Sequence, residues 1–223
     1  DDAVWQGFPE SAVHLRYIEN HDETRYLKEC SEGALRAAAA ATFTLPGAPM
    51  IYYGQERGMT DKRGAMKWYD GDADLTEFHR SLSTLRRKAP VLKTGTVERL
   101  SVDVAERHEP ADASATDADD PTSIAAAAGP ADPADAPPVV AANGDGGAAG
   151  ADRVVAYARE DGDDRLVVVL NFGDEPRAVR LPEAVGSTDL VTGSPLRKRY
   201  PEDADGAADI YLLVDDVVVC RPA

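Results

Sequence analysis

Between Val13 and Gly54 the chain writes out a strand, a helix and a second strand, and that order leaves few folds open. His14 to Asn20 is a short run of alternating character, with Val13, Leu15 and Tyr17 on one side. Ser31 is placed to cap a helix through Ala34, Leu35 and Ala37 to Ala41, an alanine-rich stretch of high helix propensity. Pro46 and Gly47 stop it. Pro49-Met50-Ile51-Tyr52-Tyr53 then forms a wholly apolar run ended by Gly54. Such a run suits a strand covered on both faces, as in a parallel sheet, and a proline at its first position removes no ladder donor. The reading is of successive βα units up to about residue 92.

A loop of about 20 residues follows Gly54, long enough to suggest function rather than connection. Asp74, with Glu77 three later, is expected to open a helix whose Leu75, Phe78, Leu82 and Leu85 share a stripe. Arg86, Arg87 and Lys88 sit at its negative end and Pro90 closes it. From about residue 105 to 151 the chain is Ala, Asp, Pro and Gly with almost no large apolar side chain, too little to offset its ordering entropy by burial. Strand-like pieces flank it, Gly95 to Val104 and Arg153 to Arg159, so it reads as an insertion within a β-domain. The remainder carries β signals only: Leu166 to Leu170, a Gly173-Asp174-Glu175-Pro176 turn, Ala178 to Leu181, Leu190-Val191, Ile210 to Val214 and Val217 to Cys220. An antiparallel sandwich is expected.

The 223 residues include 40 acidic and 24 basic ones, a formal charge of −16, which argues against nucleic acid or an anionic membrane as partner. No apolar run approaches the roughly 18–20 residues of a membrane span. Asp outnumbers Glu and Arg outnumbers Lys. That surface is expected to mark adaptation to concentrated salt, as in a protein of a halophile, where self-repulsion is screened, ahead of the alternative of an ordinary acidic protein with an acidic loop. Cys30 and Cys220 fit no metal spacing and are expected to be buried free thiols. His14, His79 and His108 are isolated and read as surface or partly buried. Asp161-Gly162-Asp163-Asp164 lacks the spacing of a calcium loop and reads as a hairpin turn.

Two strings carry chemistry. Tyr17-Ile18-Glu19-Asn20-His21-Asp22 is a strand ending in an amide, an imidazole and a carboxylate, a set suited to neighbouring sugar hydroxyls. By itself Asn20-His21-Asp22 reads as readily as a polar turn. Gly47-Ala48-Pro49-Met50-Ile51-Tyr52-Tyr53-Gly54-Gln55-Glu56 is a buried strand bracketed by glycines and followed by a carboxylate. In this order and spacing the two resemble the alpha-amylase family of glycoside hydrolases, family 13. Asn20-His21-Asp22 is similar to the end of that family's seventh barrel strand, and the Gly-x-Pro and Gly-x-Glu elements to its eighth. Arg63-Gly64-Ala65-Met66-Lys67-Trp68 is similar to a string in the following loop, with Ala65 in place of a proline. Val167 to Phe172 looks like the family's C-terminal β-domain.

The resemblance implies α/β plus all-β architecture: residues 1–92 as the last two βα units of a (β/α)8 barrel, and 93–223 as a β-sandwich interrupted at about 105–151. It implies hydrolysis of α-1,4-glucosidic bonds in starch or maltodextrins with retention. Asp22 would be the transition-state-stabilising carboxylate and His21 a donor to the same sugar. Asn20 would stand at the substrate side of the strand end, orienting it. Gly54, Glu56 and Arg63 would be structural residues near the site, Glu56 pairing with an arginine. The family's nucleophile Asp, in a Gly-x-Arg-x-Asp string, and its acid Glu are both absent from this sequence, so the chain is expected to be a C-terminal part that is inactive alone. Transglycosylase and α-glucosidase activities use the same residues and stay open. A non-catalytic carbohydrate-binding or scaffold role also stays open, although residues 153–223 hold only Tyr157, Phe172, Tyr200 and Tyr211, with no Trp. The expected partner is an α-glucan or maltooligosaccharide. No metal or cofactor site is read in this segment; calcium is conceivable upstream, and compartment and oligomeric state are left open.

Overall fold

A computed structural model describes residues 12–105, 153–199 and 210–223. The inserted segment expected at about 105–151 lies almost wholly outside the described residues.

β1 (Leu15–Arg16) pairs in parallel with β2 (Ala48–Pro49), Leu15 opposite Ala48 and Arg16 opposite Pro49. Between them run α1 (Tyr26–Glu29) and α2 (Glu32–Thr44). Ser31 caps α2, its Oγ accepting the Ala34 N–H at 3.3 Å, and the helix continues three residues beyond Ala41. The Thr42 and Thr44 hydroxyls donate to carbonyls one turn back, which lets these residues stay buried inside the helix. Gly47 has φ 114°, and a Cβ there would collide with the His14 carbonyl, so only glycine lets the chain turn into β2 this close to β1. The expected strand over Pro49 to Tyr53 is not formed beyond Pro49. β1 and β2 have only each other to pair with among the described residues. Val13 is therefore 73% exposed, and Leu15, Tyr17, Ile51 and Tyr53 also stand open instead of being covered on both faces.

After a 3₁₀ turn (Gln55–Arg57) comes α3 (Ala73–Lys88). Its cap is Asp72, not Asp74: Asp72 Oδ1 accepts the Leu75 N–H at 2.7 Å. Leu75, Phe78, Leu82 and Leu85 are buried as one stripe, each leucine contributing about 1.5–3 kcal/mol. Arg86 does not serve its own helix end in solvent. It is buried and donates to the carbonyls of Phe43 and Leu45, so it serves the negative end of α2. α4 (Val91–Thr94) leads into the β layers.

One antiparallel sheet has the order β10 (Val217–Cys220), β6 (Asp164–Asn171), β5 (Val154–Asp161), β3 (Thr96–Leu100). The second has the order β4 (Asp103–Val104), β7 (Arg177–Arg180), β9 (Tyr211–Val214), β8 (Lys198–Arg199). β5 and β6 form a hairpin with Asp161 opposite Asp164 and Gly162 at φ 61°. β6 explains its own unbroken apolar run. Leu166, Val168 and Leu170 face the helices, β6 lying against α2 and α4, whereas Val167 and Val169 pack with Val179, Leu212 and Val214 of the second sheet. Helices, sheet and sheet thus make three layers with β6 in the middle. Leu190-Val191 is a turn, not a strand, because buried Asp189 gathers the Val191 and Thr192 N–H groups around its carboxylate. Of the thiols, Cys220 is buried as expected but Cys30, just past α1, is exposed; both are free.

Candidate active site

The chain leaving β1 runs through Ile18 to Glu19, which is buried, and then opens into an exposed loop. Asn20 shapes that loop: its Oδ1 accepts the Asp22 N–H at 2.7 Å and the Glu23 N–H at 3.1 Å. The turn lifts His21 and Asp22 outward. Their side chains are 66% and 71% exposed, and His21 Nε2 lies 3.1 Å from Asp22 Oδ2. Asn20 thus spends its carbonyl on the loop itself.

The loop after Gly54 comes back over this rim. Arg63 Nη2 lies 3.3 Å from the His21 carbonyl and 3.7 Å from Asp22 Oδ1, and Lys62 Nζ donates to the Asp22 carbonyl. The Tyr53 hydroxyl donates to the Gly64 carbonyl at 3.0 Å, fastening the same loop to the end of the apolar run. Gly54 starts the turn at φ 82°, where a side chain would meet Met59. The sequence-derived residues Asn20, His21, Asp22 and Arg63 therefore come together. Glu56 stands apart from them. Its carbonyl accepts the Thr76 hydroxyl at 2.7 Å, and its buried Oε2 has no hydrogen-bond partner among the described residues. No arginine pairs with it there, because Arg25 is turned to Glu19 and Arg57 to the Lys67 and Trp68 carbonyls.

Sequence reading missed two buried polar clusters beneath the rim. In the first, Arg25 Nη1 donates to Glu19 Oε1 at 2.7 Å with both side chains shielded from solvent. The visible signal was a carboxylate, Glu19, ending an apolar run with a cation six residues later. In the second, His79 is buried, not at the surface. His79 Nδ1 lies 2.9 Å from the Leu75 carbonyl, which can only accept, so Nδ1 carries the proton and Nε2 accepts from the Gln55 amide at 3.2 Å. Burial pushes the His79 imidazole below its ordinary pKa. Among the described residues no group of three His, Cys, Asp or Glu side chains could hold a metal ion. What the rim offers chemically is one solvated carboxylate beside an imidazole and a guanidinium, an acceptor flanked by donors. That is a set for binding vicinal hydroxyls.

A family profile described as alpha amylase, catalytic domain, matches residues 2–120, and one described as beta-galactosidase C-terminal domain matches residues 153–200. Alpha-amylase MalA of Haloarcula japonica is 37% identical over 214 residues, 96% of this chain and 25% of the relative. Neopullulanase 2 of Thermoactinomyces vulgaris is 33% identical over 107 residues, 43% of this chain and 18% of the relative. The chain thus spans a quarter or less of the length of these relatives. Among solved structures, the maltogenic alpha-amylase AmyB of Thermotoga neapolitana superposes with a TM-score of 0.61 at 17% identity, over 96% of this chain and 42% of that one. The fold is accordingly the alpha-amylase arrangement of (β/α) barrel and C-terminal β-domain, present here with a partial barrel. With a catalytic-domain profile matching more than half of its residues, the chain belongs to the alpha-amylase family of glycoside hydrolases.

Proposed function

We propose that this chain supplies the transition-state-stabilising part of an α-glucan-cleaving site, acting by retention on α-1,4 bonds of starch or maltodextrins. Asp22 accepts hydrogen bonds from neighbouring hydroxyls of the sugar at the cleavage point, and those bonds strengthen as the ring takes on oxocarbenium character. His21 donates to the same sugar, and Arg63 holds the loop over them. The observation that carries the reading is the exposed His21–Asp22 couple, 3.1 Å apart, lifted from a strand end in a chain of this family. Retaining chemistry needs two further carboxylates about 5–5.5 Å apart. The family's nucleophile and acid strings are missing from this sequence, so the chain by itself cleaves nothing. A sugar-binding role for the β-domain has little support among the described residues: Tyr157 is buried, and Phe172 and Tyr211 are only partly exposed, so none of these three offers an open stacking face, while Tyr200 lies outside the described residues.

The test uses a complete-barrel enzyme of which this chain forms the last part, with the chain alone as control. Asp22→Asn is expected to lower kcat on a maltooligosaccharide by at least about 10–100-fold, since a charge-assisted hydrogen bond is worth about 1.5–3 kcal/mol. The control should release no reducing sugar. Unchanged turnover in the variant, or activity in the control, would overturn the reading.

A further inference from the structure

Three separate segments meet around Asp22, and one buried guanidinium touches all of them. Arg25 is 0% exposed. Its Nη1 donates to Glu19 Oε1 at 2.7 Å, and the other oxygen of Glu19 accepts the Tyr26 N–H at 2.8 Å. These two bonds tie off the base of the loop that carries His21 and Asp22. Arg25 Nε donates to the Asp61 carbonyl at 3.0 Å, and the next two residues, Lys62 and Arg63, are those that reach the His21 and Asp22 carbonyls. Arg25 Cζ lies over the Tyr52 ring, 4.4 Å from its centroid, and over the Tyr53 ring, 4.9 Å from its centroid. Tyr53 in turn holds Gly64.

A buried ion pair is weak support for stability, because an apolar pair of similar volume does as well without the desolvation cost. Arg25 even leaves Nη2 without a hydrogen-bond partner among the described residues. What the guanidinium adds is direction: a planar fork seated over the adjoining Tyr52 and Tyr53 rings fixes three neighbours at once, which a flexible ammonium does not. We propose that Arg25 is a positioning residue, holding the His21–Asp22 couple in register with the end of the Pro49–Tyr53 run and with the 61–64 loop. The proposal rests on the reading of Asp22 as the sugar-binding carboxylate. It adds that the aim of Asp22 is set from underneath.

Two variants separate positioning from mere folding. Arg25→Lys keeps the charge but loses the fork. Glu19→Leu with Arg25→Met removes both charges, leaving neither buried alone. In this chain, the Asp22 and Glu23 amides, held only by Asn20, should exchange with solvent at least about tenfold faster in both variants, with β5 and β6 unchanged. In the complete-barrel enzyme, kcat should fall at least about tenfold with KM within about threefold, and that loss should vanish when Asp22 is already Asn. Unchanged exchange at residues 22 and 23 overturns the proposal, as does a loss of kcat that persists in full in the Asp22→Asn background. If exchange quickens while Asp22→Asn alone costs no turnover, the clamp stands and the glycosidase role of Asp22 falls.

Discussion

His79 illustrates how a single side chain is committed by its neighbours. Nδ1 must donate to the Leu75 carbonyl, so a proton added at Nε2 would face the Gln55 amide that now donates to it. Burial is the main cause of its lowered pKa, with the Leu75 bond working the other way. The folded chain therefore binds the His79 proton less readily than the unfolded chain, whose histidine titrates near 6.5. The resulting stability is fully present above pH 6.5 and is lost as pH falls from there toward the depressed folded value. Replacing His79 by Leu should flatten this portion of the pH dependence. Thermal midpoints measured between pH 7.5 and 5 should drop less steeply in His79→Leu than in the parent; equal slopes would assign the drop to other groups.

At the level of elements, the end of α2 is the best example of a helix terminus satisfied from elsewhere. Arg86 from α3 donates to the carbonyls of Phe43, Leu45, Gly47 and Leu92. Arg159 from β5 donates to those of Thr44, Leu92, Gly95 and Thr96. Burial pushes the Arg159 guanidinium down to about 10, still charged at neutral pH. Carbonyls at a helix C-terminus carry the negative end of the dipole, so the two cations stand in for solvent there. Arg159 thereby joins a strand of the first sheet to the helix that delivers β2. Arg159→Met should destabilise the chain by about 2–4 kcal/mol, the cost of leaving several buried carbonyls unpaired. Arg159→Lys should recover less than half of that, because one ammonium cannot span four acceptors. Urea midpoints with an unchanged slope would measure it; a loss below about 0.5 kcal/mol would show that water replaces the guanidinium.

Over the whole molecule the governing quantity is the formal charge of −16. Some of it is locally paired: Arg165 meets Glu98, Glu160 and Glu183 on the sheet surface. Exposed pairs of this kind contribute about 0–1 kcal/mol each and weaken in salt. The unpaired excess repels itself, and that repulsion is also screened, over about 10 Å at 0.1 M and about 3 Å at 1 M. With the acidic excess this large, relief of repulsion should win. Raising KCl from 0.1 to 2 M should lift the thermal midpoint, by about 2–4 °C for each kcal/mol gained. A falling midpoint would mean that the paired arginines outweigh the excess.

Much of this protein could be read locally. The strand–helix–strand order, the Ser31 cap, the Leu75–Leu85 stripe, the hairpin at Asp161–Asp164 and the Asn20-His21-Asp22 string all depend on neighbours within a few residues, and periodicity and turn chemistry report those directly. The cap falls on Asp72 in place of the expected Asp74 because the Asp72 side chain is the one that reaches the Leu75 N–H. Cys30 came out exposed because α1 stops at Glu29 and turns its end to solvent. The remaining surprises are polar groups whose partners are far along the chain: Arg25 with Asp61, Arg86 with Phe43, and Arg159 with Thr44, 115 residues away. A sequence sets which side chains must find hydrogen bonds if buried. Which carbonyls they find, and whether they are buried at all, is decided when helices and sheets close on one another, because only then is water removed from around them.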